Sequence, residues 1–572
     1  MNKWNMLAIL VIGSGSVSGQ NMTVSQPLAT GVSSPLSSLR GNVALAPEQS
    51  AGLSLDRTAE APADAASDEQ GKEPRLGRTA GSTNDRIRTA SVPSVTTPFQ
   101  TTLNNLPVTV TKTIQGLGIG FSPTWTYTAD RPDTTLAVGP NHLLQWVNTQ
   151  LTVMDKNGTP LIGGADGYIF GNAIWAGLPL SSLCRSFNSG NPLVQYDRLV
   201  DRWILSQFAS DFSSLGQPRP PFNRCIAVST SGDPTGTFTL FEYSFGNLQP
   251  DATKLGVWPD AYYFTDNQYN GNTFVGGQVC AYDRAAMIAG LPSAAQVCFQ
   301  NANRFSLLPS DLDGSNPPPA GSPNYVLSNN WAFNTPPYSL MLQKFHVDFV
   351  TPANSTLDDG QGGGNNSAIE IPLGTLIASC RDEGGRCVPQ PGTARVLQTL
   401  FGMQPTYRLA YRNRGAGLES LVVTQMVDPP STATASIQWM EIRNPGANLP
   451  QVFQSGAIST ADGLNRWMGS GAMDKAGNIA LGYSASSGTV FPGIRIAGRF
   501  RSDIRNTLRG ELDVVPGSGS QTRLAEQWGF YSTMQVDPVD DCTFWYTNQY
   551  YPATSSFNWA TKLIAFKFPS CN

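Results

Sequence analysis

The residues of this sequence best suited to chemistry are acids, arginines and aromatics at the openings of recurring strand-like stretches. They are Asp133, Asp260, Asp462, Arg408, Arg412, Arg466, Trp258, Trp467, Trp528 and Tyr531. Carboxylates and guanidiniums converging on one concave face suit a sugar or a peptide carboxylate, and exposed rings add a stacking surface. Paired carboxylates could also carry out glycoside hydrolysis. The competing reading has the same ions bridging neighbouring sheets and the tryptophans packing between them.

Other chemistries find less support. The chain has only two histidines, His142 and His346, which disfavours a His-rich zinc or iron site. Neither adjoins a GxSxG elbow, so a Ser-His-Asp triad is not expected. Asp311-Leu312-Asp313-Gly314 offers two carboxylates and a glycine turn, the start of a calcium site. It lacks the third acid and distal glutamate of an EF-hand loop, and Pro317, Pro318 and Pro319 follow, so a plain surface turn competes with calcium. No other cofactor is implied.

These residues need elements to hold them. Openers begin near Asp133 (DTTLAVGPN), Asn191, Asp260 (DAYYFTDNQYNGN), Asn324 (NYVLSNN), Arg408, Arg466 (RWMGSGAMDKAGN) and Trp528, in steps of 58, 69, 64, 84, 58 and 62 residues. Each runs through an Asp/Asn/Gly turn into an apolar strand, and a second hairpin usually follows. Four strands per period over seven periods predicts an all-β propeller of seven four-stranded blades. A Gly-rich insertion, Gly360 to Asn366, and the Cys380–Cys387 loop account for the longest step. The last unit is one strand short, so the strand around Pro107–Thr111 is expected to complete it and close the ring.

Composition agrees with short strands and turns: charged residues are 14%, with 56 glycines and 42 prolines. The net charge of −4 has no basic run behind it, which argues against nucleic acid. Residues 1–19 read as a signal peptide, with Lys3 before an apolar core from Met6 to Ile12. No other segment approaches the length of a membrane span, so the expectation is a secreted monomer. Residues 20–95 read as a disordered leader or linker, with 107–572 as the propeller domain. Eight cysteines fit four local disulfides: Cys184–Cys225, Cys280–Cys298, Cys380–Cys387 and Cys542–Cys571.

Ser231-Gly232-Asp233-Pro234-Thr235-Gly236-Thr237-Phe238 resembles the Asp-box turn of sialidase-type propellers, with its glycine one place late. In that family the turn is a structural staple, so the resemblance implies fold and not catalysis. The block Trp528–Ser532 with Asp537–Thr547, together with AVGPN, DPTGT, GVWPD and RWMGS, resembles a group of large secreted bacterial propeller-like proteins over roughly 107–572. It implies fold and location but no activity. The leading expectation is an exported propeller that binds an extracellular glycan or protein at one end of its channel. A carbohydrate-active hydrolase or lyase, and a structural or adhesive surface protein, are the alternatives.

Overall fold

The computed structural model describes residues 21–40 and 90–572, apart from 126–130, 214–216, 331–337, 366, 375, 381–384, 401–403, 430–433 and 524–526. The signal peptide expected over 1–19 lies outside these residues. Among the described residues the chain is nearly all β, with helix confined to short turns such as Leu183–Ser186 and Arg284–Ile288.

The opening strands are Thr134–Val138 (β1), Leu193–Asp197 (β2), Gln249–Val257 (β3), Arg304–Asp313 (β4), Leu409–Asn413 (β5), Asn465–Met473 (β6) and Thr533–Val536 (β7). Each starts an antiparallel meander whose chain neighbours are sheet neighbours. Consecutive openers pack together, and β7 packs back against β1. The meanders are not all separate sheets, as four-stranded blades would be. Ser310–Asp313 of β4 pairs in parallel with Leu409–Arg412 of β5, fusing two meanders into one twelve-stranded sheet. Openers that run close together in one direction can satisfy backbone groups across the gap.

The hairpin around Asp474 shows how sequence builds a meander. Asp474 Oδ1 accepts from Asn478 N at 2.9 Å, and Gly477 takes φ 89°, which closes the turn. The following strand Ile479–Ser486 is buried throughout, and a Cβ on Gly482 would meet the Tyr546 ring at 2.5 Å. Small residues therefore let the sheets approach, and large ones fill the space between. Trp146, Trp203, Trp258, Trp439, Trp467 and Trp528 are all fully buried in these layers.

Two openers differ from the sequence reading. The stretches from Asp260 and Asn324 form second strands, Ala261–Asn270 and Asn324–Asn330, while β3 and β4 precede them. Asp251, Thr253, Lys254, Ser306, Asp311 and Asp313 break the apolar alternation of β3 and β4.

Residues 21–40 also depart from the leader expected over 20–95. Asn21–Ser25 pairs with Gln296–Asn301 at the edge of the β3 meander, and Ala29–Val32 with Phe238–Gly246 at the edge of the β2 meander. Ala90–Ser91, Phe99–Gln100 and Asn104–Asn105 cap the β4, β5 and β6 meanders in parallel. Thr109–Gln115 then pairs antiparallel with Ala560–Lys567 as the outer strand of the β7 meander. Such a strap needs only backbone partners on edges already built, so it forms without a hydrophobic pattern of its own.

The disulfides join Cys184–Cys225, Cys280–Cys298, Cys380–Cys387 and Cys542–Cys571. The Asp-box likeness is not upheld. Asp233 Oδ1 accepts from Thr235 N and Oγ1 at 2.9 and 2.8 Å, which makes a local Asx turn in a single hairpin.

Candidate functional site

Arg408 fills the axis between the openers. Its Nε donates to Asp311 Oδ2 at 2.5 Å, its Nη2 to Asp313 Oδ1 at 2.9 Å and its Nη1 to the Met534 carbonyl at 2.9 Å. Gln195 Nε2 donates to Asp311 Oδ2 at 2.7 Å, and Gln535 Nε2 to Gln195 Oε1 at 2.6 Å. The backbone N–H groups of Val257 and Val138 complete the network on Asp311 and Gln535. A cavity of about 20 Å³ remains, room for about one water. Burial pushes the Asp311 carboxyl up to about 6, with Arg408 opposing it.

Asp311 and Asp313, marked by sequence as calcium ligands, are thus ion-paired to Arg408, whose guanidinium occupies the place a cation would need. Among the described residues no group of three or more His, Cys, Asp or Glu gathers as a metal site.

A second polar cluster lies where the openers begin. Asp133, just before β1, is buried and accepts from Arg131 Nε at 3.0 Å and from Phe530 N at 2.8 Å. Arg131 Nη1 donates to Gln527 Oε1 at 2.6 Å, and its guanidinium lies 4.6 Å from the Phe530 ring centre. Tyr531 OH donates to the Thr253 carbonyl at 2.7 Å, and Thr253 Oγ1 to Asp266 Oδ1 at 2.6 Å. Arg224 pairs with the same Asp266 oxygen, while Asp266 Oδ2 is buried without a hydrogen-bond partner among the described residues. Lys254 Nζ donates to Ser306 Oγ at 3.0 Å.

Charge in this cluster is poised. Burial lowers Lys254 to about 8, with Asp251 and Asp266 opposing. Burial raises the half-buried Asp251, with nearby Arg131 and Lys254 opposing. Three carboxylates, two arginines, a lysine and a phenol from several meanders therefore meet at one end of the axis.

The backbone device that aims these side chains recurs. Asp133, Asn191, Ala252, Ser306 and Met468 take φ values of 44, 50, 49, 51 and 53°, each at the beginning of an opener. Register shifts accompany three of them, between Asp251 and Lys254, Phe305 and Leu308, and Trp467 and Ser470. Such bulges re-aim the next side chain, and the left-handed conformation is uncommon outside glycine.

Of the residues singled out in the sequence, the structure brings Asp133 and Tyr531 into this cluster. Arg408 lies deeper, on the axis. Arg466 pairs with the exposed Asp462 at 2.7 Å and with Glu511 on an outer strand at 2.7 Å, so it points away from the axis. Trp467 and Trp528 pack on each other at 5.4 Å between sheets. Trp258 and Asp260 follow the far end of β3: Trp258 is buried against Tyr325 and Tyr411, and exposed Asp260 accepts from Tyr263 OH at 3.1 Å. Arg412 pairs with Asp541 at 2.9 Å near that far end.

Sequence reasoning missed Arg131, Asp251, Lys254, Asp266 and Ser306. Spacing held a usable signal: a step of 58 from Asn191 lands on Gln249, where β3 starts.

No family model matches the sequence, and no curated protein matches it. Among solved structures, a GH43 endo-arabinanase from Bacillus licheniformis aligns over 57% of this chain and 99% of its own, at 11% identity and TM-score 0.27. An endo-arabinase from Bacteroides thetaiotaomicron aligns over 55% and 95%, at 12% identity and TM-score 0.25. An endo-1,5-alpha-L-arabinanase from Thermotoga petrophila aligns over 78% and 100%, at 12% identity and TM-score 0.25. Likeness this slight assigns neither fold nor activity.

Proposed function

We propose that this chain is an exported seven-bladed β-propeller that binds an extracellular glycan at the Asp251 end of its channel. The observation that carries this reading is the convergence there of Asp133, Asp251 and Asp266 with Arg131, Lys254 and Tyr531. Carboxylates accept from vicinal hydroxyls, cations donate to ring and hydroxyl oxygens, and together they recognise a polyhydroxylated ligand. The contact of β7 with β1 and the pairing of Thr109–Gln115 with Ala560–Lys567 support a closed ring. The N-terminal apolar pattern and four disulfides support export. The Arg408 network fills the axis, so a ligand would rest on this end and not thread through.

A second reading, glycoside hydrolysis, is favoured by the gathering of two carboxyl groups, Asp251 and Asp133, in one cluster, since hydrolysis uses a pair of them. A glycan array on the secreted chain, followed by mass spectrometry of each bound glycan after incubation, tests both. Retention of an intact glycan supports binding alone, and shortened products support hydrolysis. No retention and no products would reject both.

A further inference from the structure

Arg414 and Arg501 stand 87 residues apart in sequence and side by side in space. Arg414 follows β5, and Arg501 follows the strand Gly493–Arg499 of the β6 meander, so both sit at the channel end opposite Asp251. Gly477 lies between them. A Cβ there would come within 3.1 Å of both Arg414 Nη1 and Arg501 Cδ. The turn thus leaves space that the two side chains share.

Neither guanidinium makes a hydrogen bond or close ion pair among the described residues, Arg414 Nε is buried without a hydrogen-bond partner, and Glu441 acts on Arg414 through its charge alone. The surrounding acids are already committed. Glu441 Oε1 accepts from Arg443 Nε at 2.6 Å and from Ser420 Oγ at 2.8 Å. Asp474 accepts from Asn478 N and Nδ2 at 2.9 and 2.7 Å, and Asp541 from Arg412 at 2.9 Å. Burial and then the charge of Arg501 disfavour the charged form of Arg414, with Glu441 opposing them. Two adjacent guanidiniums with planar donor forks and no hydrogen-bonded acceptor among the described residues form an incomplete anion site.

We propose that Arg414 and Arg501 bind an oxyanion, a sulfate, phosphate or carboxylate group, over the Gly477 turn. The site lies away from the Asp251 cluster and stands or falls independently of the function proposed for that cluster. A free ion and a group on an anionic polymer share this chemistry.

The test is thermal melting of the full chain in sodium sulfate, phosphate or acetate against sodium chloride at matched ionic strength, repeated with sulfated and neutral dextran. Wild type should show a saturable rise in Tm with at least one oxyanion or with sulfated dextran, and none with neutral dextran. R414Q and R501Q should each weaken the response at least about tenfold in midpoint concentration. Arg501 is exposed, so R501Q should melt like wild type in chloride and separates binding from folding. A response to free ions marks a simple anion site, and a response to sulfated dextran alone marks a polymer-borne group. Equal responses in wild type and both variants, or no response beyond chloride in any arm, would overturn the proposal.

Discussion

Tyr531 donates its hydroxyl to the carbonyl of Thr253 at 2.7 Å, joining the approach to β7 with β3 across the axis. The bond fixes one wall of the Asp251 cluster, because Thr253 also holds Asp266 through its own hydroxyl. Tyr531→Phe removes the donor and leaves a buried carbonyl unpaired. It should cost about 1–3 kcal/mol in urea denaturation. An unchanged midpoint would show that the carbonyl has another partner.

Arg408 supports the axis more heavily. Arg408→Met leaves Asp311 and Asp313 buried without their counter-ion, and should cost about 3–5 kcal/mol by the same measurement. A loss below about 1 kcal/mol would mean that the axis repacks around the two acids without needing the guanidinium.

Much of the architecture was legible in the sequence because it rests on local patterns. Turns such as Asp474–Asn478 announce themselves by Asp, Gly and Asn, and the cysteine spacing matched the bridges found. The strap at 21–32 was illegible because an added edge strand borrows its order from the sheet it joins. The candidate site was illegible for a related reason. β3 and β4 expose polar side chains to the axis, so they lack apolar alternation and their second strands were read as openers. That one-strand slip moved attention from Asp251 to Asp260, at the opposite end of β3. Trp258, Trp467 and Trp528 looked like stacking faces, yet the close approach of sheets needs their bulk inside.

Lys254 gives a pH signature. Burial lowers its folded-state pKa from 10.5 to about 8, so its desolvation penalty is fully present below about 8 and is relieved as pH rises towards 10.5. Lys254→Met removes that penalty. The Tm of the variant relative to wild type should therefore be higher at pH 7 than at pH 10. A pH-independent difference would show that Asp251 and Asp266 keep the ammonium fully compensated.

The strap should contribute in two unequal parts. Removing 21–40 uncovers edges of the β2 and β3 meanders and should lower Tm by a few degrees. Removing 21–115 also deletes the outer strand of the β7 meander and should lower it much further. Equal melting of the two truncations would show that Thr109–Gln115 is dispensable.

The most direct measurement is calorimetric titration of an array-identified glycan into wild type, Asp251→Asn and Asp260→Asn. The two acids lie beside opposite ends of β3, so the pair reports which end holds the ligand. Binding at the Asp251 end predicts that Asp251→Asn weakens affinity about ten- to a hundredfold, the loss of one charged hydrogen bond, while Asp260→Asn leaves it unchanged. Full affinity in Asp251→Asn with a loss in Asp260→Asn would contradict the account and move the site to the other end.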